Sequence, residues 1–394
     1  IGFKNPIDTS GRLKALNRPA RPHHRQIMFS ELDISMMQNA LALAWQGRFS
    51  TSPNPRVGCV IARGSQIVGQ GFHLQAVGPH DEVKKQQQTS ALAEGATAYV
   101  TLEPCSHYGR TPPCAKGLIE AGVARVVAAM TDPNPLVAGK GLAMLREAGI
   151  DVSDGLLQTE ARALNRGFLS RIERARPFVR LKCAASLDGK TALANGQSQW
   201  ITGAEARADV QILRAESCAI LTGIGTVLAD NPQLNVRNFP TLRQPARVVL
   251  DSRLQTPLES KLVQDGGSPT VIATLVEDES RLAPYRRHEH IRIIRPSETQ
   301  GRIDLHNLLA QLAALGFGEV MVEAGATLAG AFLQENLADE IVLYQAPKIL
   351  GNQARGLFAL PENPLVLSRT AAWQTTTLTR IGDDIKWVLH PRQA

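Results

Sequence analysis

The chain has 394 residues, of which 43% are hydrophobic and 20% are charged, with a formal net charge of +7. This composition is ordinary for a globular protein and excludes a collagen-like, low-complexity or disulfide-scaffold chain. At about 150 residues per domain, the length predicts two or three domains.

Most of the positive charge lies in the first 30 residues, which hold six basic side chains against Asp8 alone. The segment contains prolines and lacks apolar periodicity, so residues 1–30 are predicted to form a basic, disordered tail. A transit peptide, an upstream-read extension and a nucleic-acid arm remain three interpretations of the tail. The net charge alone therefore does not predict a nucleic-acid-binding protein.

Strand and helix patterns alternate after the tail. Strands are predicted at 57–62, 66–72, 96–102, 123–130 and 150–152, and helices at 34–45, 80–94, from 113 onward and at 140–148. This alternation predicts a layered α/β domain over residues 31–152. The apolar spacing over 153–176 predicts one connecting helix.

A second α/β pattern opens after Pro177 and predicts another domain over 177–394. Its strands are predicted at 178–185, 218–222, 246–250, 270–274, 319–323 and 340–345, and its helices at 204–216, 304–315 and 326–336. The Gly223-Ile-Gly225 segment lacks the third glycine of a dinucleotide-binding fingerprint, so it does not predict a Rossmann domain. The turn from Glu323 to Gly330, between a strand and a helix, is the stronger candidate for a phosphate site.

The chain has five cysteines at irregular spacing, which is not the pattern of a disulfide framework. No stretch reaches the roughly 18 apolar residues of a membrane span, and the visible N-terminus lacks an apolar signal-peptide core. These features predict a cytoplasmic protein.

Three short motifs together predict a zinc site built for deamination. They are His80-Asp81-Glu82, Pro104-Cys105 and Cys114, in that order. In zinc deaminases one His and two Cys hold the metal, while a Glu two residues after the His moves a proton from the attacking water to the leaving amine. We therefore expect His80, Cys105 and Cys114 to hold Zn²⁺ and Glu82 to be catalytic.

The spacing of the two cysteines makes the pattern specific. Ordinary cytidine deaminases have two residues between them, whereas here eight residues lie between Cys105 and Cys114. In this feature the chain resembles the bifunctional riboflavin-biosynthesis deaminase–reductase family. The resemblance extends over roughly 33–390 and includes Pro53-Asn-Pro-Arg-Val-Gly-Cys-Val-Ile61, Asp132-Pro-Asn-Pro-Leu-Val-Ala-Gly139, Ala185-Ser-Leu-Asp-Gly-Lys190, Ser198-Gln-Trp-Ile-Thr202, Asp230-Asn-Pro-Gln-Leu-Asn-Val-Arg237 and Val322-Glu-Ala-Gly-Ala-Thr-Leu328.

The resemblance implies a fold and a set of ligand contacts. The N-terminal domain is expected to be a three-layer cytidine-deaminase-like α/β domain, and the C-terminal domain a dihydrofolate-reductase-like α/β domain that uses NADPH. Implied cofactor contacts are Ala184, Trp200, Thr226, Asp230, Ser252, Gly325, Ala326, Thr327, Leu328, Ala329, Gly330 and Ala331. Implied substrate contacts are Asn54, Ser198, Arg214, Leu234, Arg237 and Glu323. Guanidinium groups bind phosphate well, which suits Arg214 and Arg237 to a ribose phosphate. Asn54 between two prolines is also a typical turn residue.

The chain departs from the family after His80. Within residues 81–92, Asp81 replaces the usual small residue, Lys84 replaces a His, and Gln87 lies where an apolar side chain is expected. Burying an unpaired amide costs about 1–3 kcal/mol, so we hypothesise a weakened deaminase half.

The sequence thus predicts zinc-dependent deamination of a diaminopyrimidine ribosyl phosphate, followed by NADPH-dependent reduction of the ribosyl group to ribityl. The substrates are small phosphoribosylaminopyrimidines, and a homodimer through the reductase domain is expected. The alternatives are a reductase with an impaired or purely structural deaminase half, and a nucleic-acid-editing deaminase.

Overall fold

A computed structural model describes residues 29–74, 90–106, 112–135, 137–360, 365–366, 370 and 372–392. Most of the predicted tail, and most of the predicted helix that contains His80 and Glu82, lie outside these residues. Residues 81–89 of the atypical segment 81–92 also lie outside them.

The described helices and strands follow the predicted alternation. The helices are α1 (Glu31–Gln46), α2 (Ser90–Ala93), α3 (Cys114–Glu120), α4 (Lys140–Glu147), α5 (Gln158–Leu164), α6 (Arg166–Arg174), α7 (Ala204–Glu216), α8 (Ile224–Asp230), α9 (Lys261–Gln264), α10 (Glu279–Arg286), α11 (Leu305–Ala314) and α12 (Ala326–Gln334). The strands are β1 (Gly58–Arg63), β2 (Gln66–Phe72), β3 (Thr97–Val100), β4 (Arg125–Ala128), β5 (Asp151–Asp154), β6 (Phe178–Ser186), β7 (Lys190–Ala192), β8 (Ala219–Gly223), β9 (Ala246–Leu250), β10 (Thr270–Ala273), β11 (Ile291–Ile294), β12 (Glu298–Thr299), β13 (Arg302–Ile303), β14 (Glu319–Val322), β15 (Glu340–Ala346), β16 (Arg355–Gly356), β17 (Trp373–Ile381) and β18 (Asp384–Pro391).

The N-terminal domain is built in three layers around a five-stranded sheet of order β2-β1-β3-β4-β5. Successive side chains of a strand point to opposite faces. On β1, Cys59 and Ile61 pack with α3 and α4, whereas Val60 and Ala62 pack with α1 and the connecting segment. Both faces are therefore covered, as the apolar strands require.

Asp33 fixes α1 on this sheet. Ser30 caps the helix, and Asp33 completes the capping box. The same carboxylate accepts hydrogen bonds from Tyr99 of β3 at 2.8 Å and Arg125 of β4 at 2.7 Å. Burial raises the pKa of Asp33, but the hydrogen bonds from Arg125, Ser30 and Tyr99 outweigh burial and lower it to about 2.

The connecting segment is not the single helix predicted over 153–176. Residues 153 and 154 end β5, and two helices, α5 and α6, follow with a break at Asn165. The Asn165 side chain accepts from the Arg56 amide at 2.7 Å and donates to the Arg56 carbonyl at 2.9 Å. A long-range contact therefore determines where this helix stops, which periodicity does not reveal.

The C-terminal domain contains a nine-stranded sheet of order β11-β10-β9-β8-β14-β6-β15-β18-β17. The strands from β11 to β15 are parallel, and β18 and β17 form an antiparallel hairpin at one edge. One face packs against α11 and α12, and the other packs against α7 and α8. All parallel strands consequently end at one edge of the sheet, where ligands bind in open α/β sheets.

None of the helices in the described ranges is long and apolar enough to cross a membrane.

Candidate active sites

The two predicted zinc-binding cysteines lie next to each other at the start of α3. Cys105 follows the end of β3, and Cys114 is the first residue of α3. The Cys114 amide donates to Cys105 Sγ at 3.2 Å, and the Ala115 amide donates to the Cys105 carbonyl at 3.2 Å. An amide donor and a helix N-terminus favour the thiolate form, which is the form that binds zinc. The two cysteines therefore fit the thiolate part of a zinc site, while His80 and Glu82 lie outside the described residues.

Glu103 holds the loop that carries Cys105. Its carboxylate is buried and accepts hydrogen bonds from the amides of Asp132 at 3.0 Å, Gly139 at 2.9 Å and Gly141 at 2.8 Å. A Cβ on Gly141 would lie 1.9 Å from the Pro104 carbonyl oxygen, so only glycine permits this approach. The start of α4 is thereby tied to the Cys105 loop. Glu103 directly precedes Pro104-Cys105, but no local sequence signal indicates its role, because the amides that it binds lie about 30 to 40 residues away.

Asn54 lies in the loop between α1 and β1 and is half-buried. Its amide donates to the Thr51 carbonyl at 2.9 Å, so the residue closes a turn. The backbone therefore serves the turn, and the side chain's contact with a pyrimidine stays a prediction.

The predicted cofactor residues cluster by position at the carboxyl edge of the nine-stranded sheet. Ala184 lies near the end of β6, Thr226 and Asp230 lie on the helix after β8, Ser252 follows β9, and 325–331 follow β14. Because β6, β8, β9 and β14 run parallel, these segments meet at one edge. The topology thus brings together residues that are far apart in the sequence.

The start of α12 offers an open backbone surface. Gly325 is the N-cap of α12 and makes no side-chain capping bond, and a Cβ added to it meets no atom within 4 Å. A Cβ on Gly225 also meets nothing within 4 Å, and one on Gly223 would lie 3.4 Å from Leu328. Two helix N-termini therefore lie side by side with space in front of them. This arrangement fits the phosphate groups of a dinucleotide, since the first amides of a helix lack partners within it.

The second half of the predicted turn is placed differently. Ala329 is buried, and a Cβ on Gly330 would lie 2.1 Å from the Ala359 carbonyl oxygen. These residues pack inside the domain, so the part of the turn that remains open to a ligand is its first half, Gly325 to Leu328.

Arg214 and Glu323, both predicted to contact substrate, bind each other. Arg214 Nε and Nη2 donate to the Glu323 carboxylate at 2.7 and 3.0 Å, and Nη1 donates to the Asn235 carbonyl at 3.0 Å. Burial raises the pKa of Glu323, but Arg214 outweighs it and lowers the pKa. All three guanidinium nitrogens of Arg214 thus donate hydrogen bonds within the protein, and Arg214 keeps Glu323 in its carboxylate form.

Arg237 is the exposed cation of this group. Its amide donates to Gln211 at 2.9 Å and its guanidinium to Asn235 at 3.2 Å. Partial burial and the neighbouring Arg214 lower the pKa of Arg237, although Glu323 opposes them. Leu234 is buried in the apolar core between α7 and the sheet, so a contact with substrate has to come from its backbone.

Ser198 and Trp200 lie in the loop before α7. Trp200 is 62% exposed, Arg207 lies over its ring at 4.6 Å, and Lys348 donates to its carbonyl at 2.8 Å. The exposed indole, with Arg207 over its ring, is suited to contact with a flat ligand. Ser198 is half-buried two residues earlier.

Asp188 and Glu323 are the two carboxylates of the reductase motifs that could be candidates for a proton donor in the reduction, but neither is suited to that role. Asp188 accepts from the Ser186 hydroxyl and from the amides of Leu350 and Gly351, which lowers its pKa to about 2. Glu323 is also held below its usual pKa, as shown above. Both are ionised at neutral pH and cannot donate a proton there.

Two family models match the chain. The model of the cytidine and deoxycytidylate deaminase zinc-binding region matches residues 30–130, and the model of the RibD C-terminal domain matches residues 177–387. The riboflavin biosynthesis protein RibD of Escherichia coli K12 is 52% identical over 337 residues, covering 82% of this chain and 90% of that protein. RibD of Haemophilus influenzae is 47% identical over 376 residues, covering 92% and 99%.

The chain belongs to the RibD family.

Solved structures of RibD proteins agree with the two-domain fold. Acinetobacter baumannii RibD has a TM-score of 0.84 at 44% identity, covering 92% of this chain and 99% of that one. A Thermotoga maritima protein, titled a diaminohydroxyphosphoribosylaminopyrimidine deaminase/5-amino-6-(5-phosphoribosylamino)uracil reductase, has a TM-score of 0.81 at 30% identity, covering 92% and 99%.

Membership of the RibD family confirms the predicted fold class and activity. The chain is a riboflavin-biosynthesis enzyme with a deaminase-like domain followed by a reductase domain. The cofactors predicted from the sequence, Zn²⁺ and NADPH, are those of the two domains. The comparisons do not favour the editing or impaired-deaminase alternatives, and the zinc-region match spans the atypical segment 81–92.

Proposed function

We propose that the chain catalyses two successive reactions on phosphoribosylaminopyrimidines. The first is hydrolytic deamination of 2,5-diamino-6-(5-phosphoribosylamino)pyrimidin-4-one, and the second is reduction of the ribosyl group of 5-amino-6-(5-phosphoribosylamino)uracil to ribityl. The observation that carries this proposal is the presence, in one chain, of the paired thiols of Cys105 and Cys114 and the open backbone surface at Gly325. The T. maritima protein is named for the same two activities.

In the deaminase domain, Cys105 and Cys114 hold zinc together with His80. Zinc, when bound, supplies a Lewis acid that makes water a nucleophile near neutral pH. Glu82 accepts the proton of the attacking water and delivers it to the leaving amine, and Asn54 orients the pyrimidine. The hydrogen bonds of Glu103 support this assignment because they fix the loop in which Cys105 lies.

In the reductase domain, NADPH supplies the hydride and the chain positions it. The proposed cofactor contacts are Ala184, Trp200, Thr226, Asp230, Ser252 and, of the predicted turn 325–331, its open first half from Gly325 to Leu328, which lies nearest the phosphates. The proposed substrate contacts are Ser198, Arg214, Leu234, Arg237 and Glu323. Arg237 binds the ribose phosphate, since it is the more exposed of the two arginines, and Arg214 acts chiefly by holding Glu323.

A coupled assay on the purified full chain tests the proposal. With the diaminopyrimidine substrate and no NADPH, we expect ammonia release and accumulation of the uracil compound. When NADPH is then added, it should be oxidised in proportion to the ribityl product formed. Zinc content is measured on the same sample. Release of no ammonia by a zinc-loaded protein would contradict the deaminase assignment, and a lack of NADPH oxidation with the uracil compound would contradict the reductase assignment.

The variant Glu82→Gln separates the two halves. We expect deamination to fall roughly 100- to 10,000-fold, the usual range for loss of a general acid–base, while reduction of directly supplied uracil compound is unchanged. If the wild-type protein deaminates its substrate as fast as it reduces the uracil compound, an impaired deaminase half is also ruled out.

We further propose a homodimer formed through the reductase domain and a cytoplasmic location. β17 forms the outer edge of the nine-stranded sheet and is exposed along its length, with Leu378 63% exposed. An exposed edge strand is a natural surface for pairing. Light scattering of the wild type and of a Leu378→Lys variant tests the dimer, which the variant should weaken. The cytoplasmic location is supported by the thiol ligands, which need a reducing compartment.

A further inference from the structure

The loop of the deaminase domain that carries Asn54 is held largely by the other half of the chain. Arg56, two residues after Asn54, is buried, and its guanidinium donates to the Glu319 carboxylate at 2.7 Å and to the Leu164 carbonyl at 2.8 Å. Its backbone amide and carbonyl are both bound by the side chain of Asn165. The partners of Arg56 thus come from the connecting helices and from the reductase domain.

Two apolar contacts accompany these bonds. The ring of Phe49, at the start of the loop, lies 5.8 Å from that of Phe239 in the reductase domain. At Gly316, just before β14, an added Cβ would lie 3.5 Å from Pro53. The loop therefore rests on the reductase domain on both sides of Asn54.

Glu319 is the central acceptor of this contact. It is the first residue of β14, is buried, and binds Arg56 through Oε1 and Arg166 through Oε2 at 3.3 Å. Burial raises the pKa of Glu319, but Arg56, Arg166 and Arg180 outweigh burial and lower it. Removing one partner of a buried ion pair leaves the other charge uncompensated, which is strongly unfavourable. Loss of the Glu319 charge would therefore leave the buried Arg56 guanidinium without its carboxylate partner and weaken its hold on the loop.

We propose that Glu319 and Asn165 are positioning residues for the deaminase reaction, although they lie outside the deaminase domain. They act through Arg56 on the loop of Asn54, so the affinity of the deaminase site for its pyrimidine depends on the connecting helices and the reductase domain. This inference rests on the proposed role of Asn54.

The test is Glu319→Gln in the full-length, zinc-loaded protein. The loss of a charge-assisted hydrogen bond typically changes an equilibrium roughly tenfold or more. We expect the KM for deamination to rise roughly tenfold with kcat changed much less, and zinc content and the kinetic constants of reduction to stay within about twofold. The matched control is Glu173→Gln, which removes the exposed carboxylate paired with Arg162 at 2.8 Å in the same connecting helices. The control should change neither reaction.

The double variant with Asn54→Ala tests the route of the effect. If Glu319 acts through Asn54, adding Glu319→Gln to Asn54→Ala raises the deamination KM no further, because the two changes share one mechanism. An Asn54→Ala variant with normal KM would refute the role of Asn54 itself, which is a separate failure. The positioning inference is overturned if Glu319→Gln leaves the deamination KM unchanged, or if it disturbs reduction or zinc content as much as deamination.

Should Glu319→Gln not fold, Arg56→Lys provides the same test from the deaminase side. Lysine keeps the charge but lacks the fork that reaches Glu319 and Leu164 together. A raised deamination KM with normal reduction supports the inference, and unchanged deamination overturns it.

Discussion

Replacing Gly325 by alanine is expected to weaken NADPH binding while leaving the reductase domain stable. Gly325 has φ −71° and ψ 170°, which alanine adopts without strain, and the added methyl group meets no protein atom within 4 Å. Alanine is a poorer N-cap than glycine by about 1 kcal/mol or less. It also restricts the unfolded chain, which stabilises the fold by roughly 0.4–1 kcal/mol. The net change in the free energy of unfolding should therefore be within about 1 kcal/mol of zero.

The effect on the cofactor follows from the same geometry. If phosphate oxygens approach the amides at the start of α12, a methyl group on the cap occupies part of that space. The loss of one hydrogen bond to a charged group costs about 1.5–3 kcal/mol. The dissociation constant for NADPH should then rise roughly 10- to 100-fold.

Fluorescence titration with NADPH and thermal unfolding of the apoprotein measure the two quantities separately. The matched control is Gly266→Ala, before β10 and away from the carboxyl edge, where an added Cβ would lie an ordinary 3.6 Å from His290. The Gly266→Ala variant should have the NADPH dissociation constant and the Tm of the wild type. Normal NADPH affinity in Gly325→Ala would refute the placement of the phosphates, as would an affinity loss that only accompanies a lowered Tm.

Three further outcomes are expected. Glu103→Gln should speed zinc loss to a chelator and lower the free energy of unfolding by about 2 kcal/mol, because a neutral amide cannot accept all the hydrogen bonds that the carboxylate accepts. An unchanged rate of zinc release would show that the Cys105 loop keeps its conformation without Glu103. Asp33 has a folded-state pKa of about 2 against 3.8 in a model peptide, so its contribution, about 2 kcal/mol, is present above pH 4 and lost between pH 4 and 2. The gap in urea-unfolding free energy between wild type and Asp33→Asn should shrink over that range, and a constant gap would contradict this linkage. Burial raises the pKa of Cys183 to about 12, so its thiol should resist iodoacetamide at pH 8 until the protein unfolds; mass-spectrometric labelling of native protein at this site would contradict its burial.

The alternation of strands and helices was predictable because each element carries a local signal. The apolar runs of the parallel strands and the charged face of α7 can be recognised within a few residues. The edge hairpin of β17 and β18 escaped prediction because β17 is exposed on both faces and so lacks an apolar alternation. The break at Asn165 escaped for a different reason, since its cause is Arg56, more than a hundred residues away.

The site was predictable as a set of residue types more than as a set of contacts. Arg214 and Glu323 suit a phosphate and a polar group when each is considered alone. The structure shows that they form one ion pair, with a separation of 109 residues in the sequence. No local pattern indicates that two charged side chains are each other's partners. The sequence therefore identifies candidates, whereas folding decides which of them remain available to a ligand.

The motifs themselves combine residues for chemistry with residues that support them. Glu103 stands two residues before Cys105, and Arg56 stands two residues after Asn54. In each case the neighbour is buried and binds a distant part of the chain, while the predicted ligand contact in the same loop is half-buried. A loop carries a functional side chain accurately only if something rigid holds its backbone. Short motifs can thus be specific for a family partly because they include these anchors, and the anchor at Arg56 connects the deaminase site to the reductase domain.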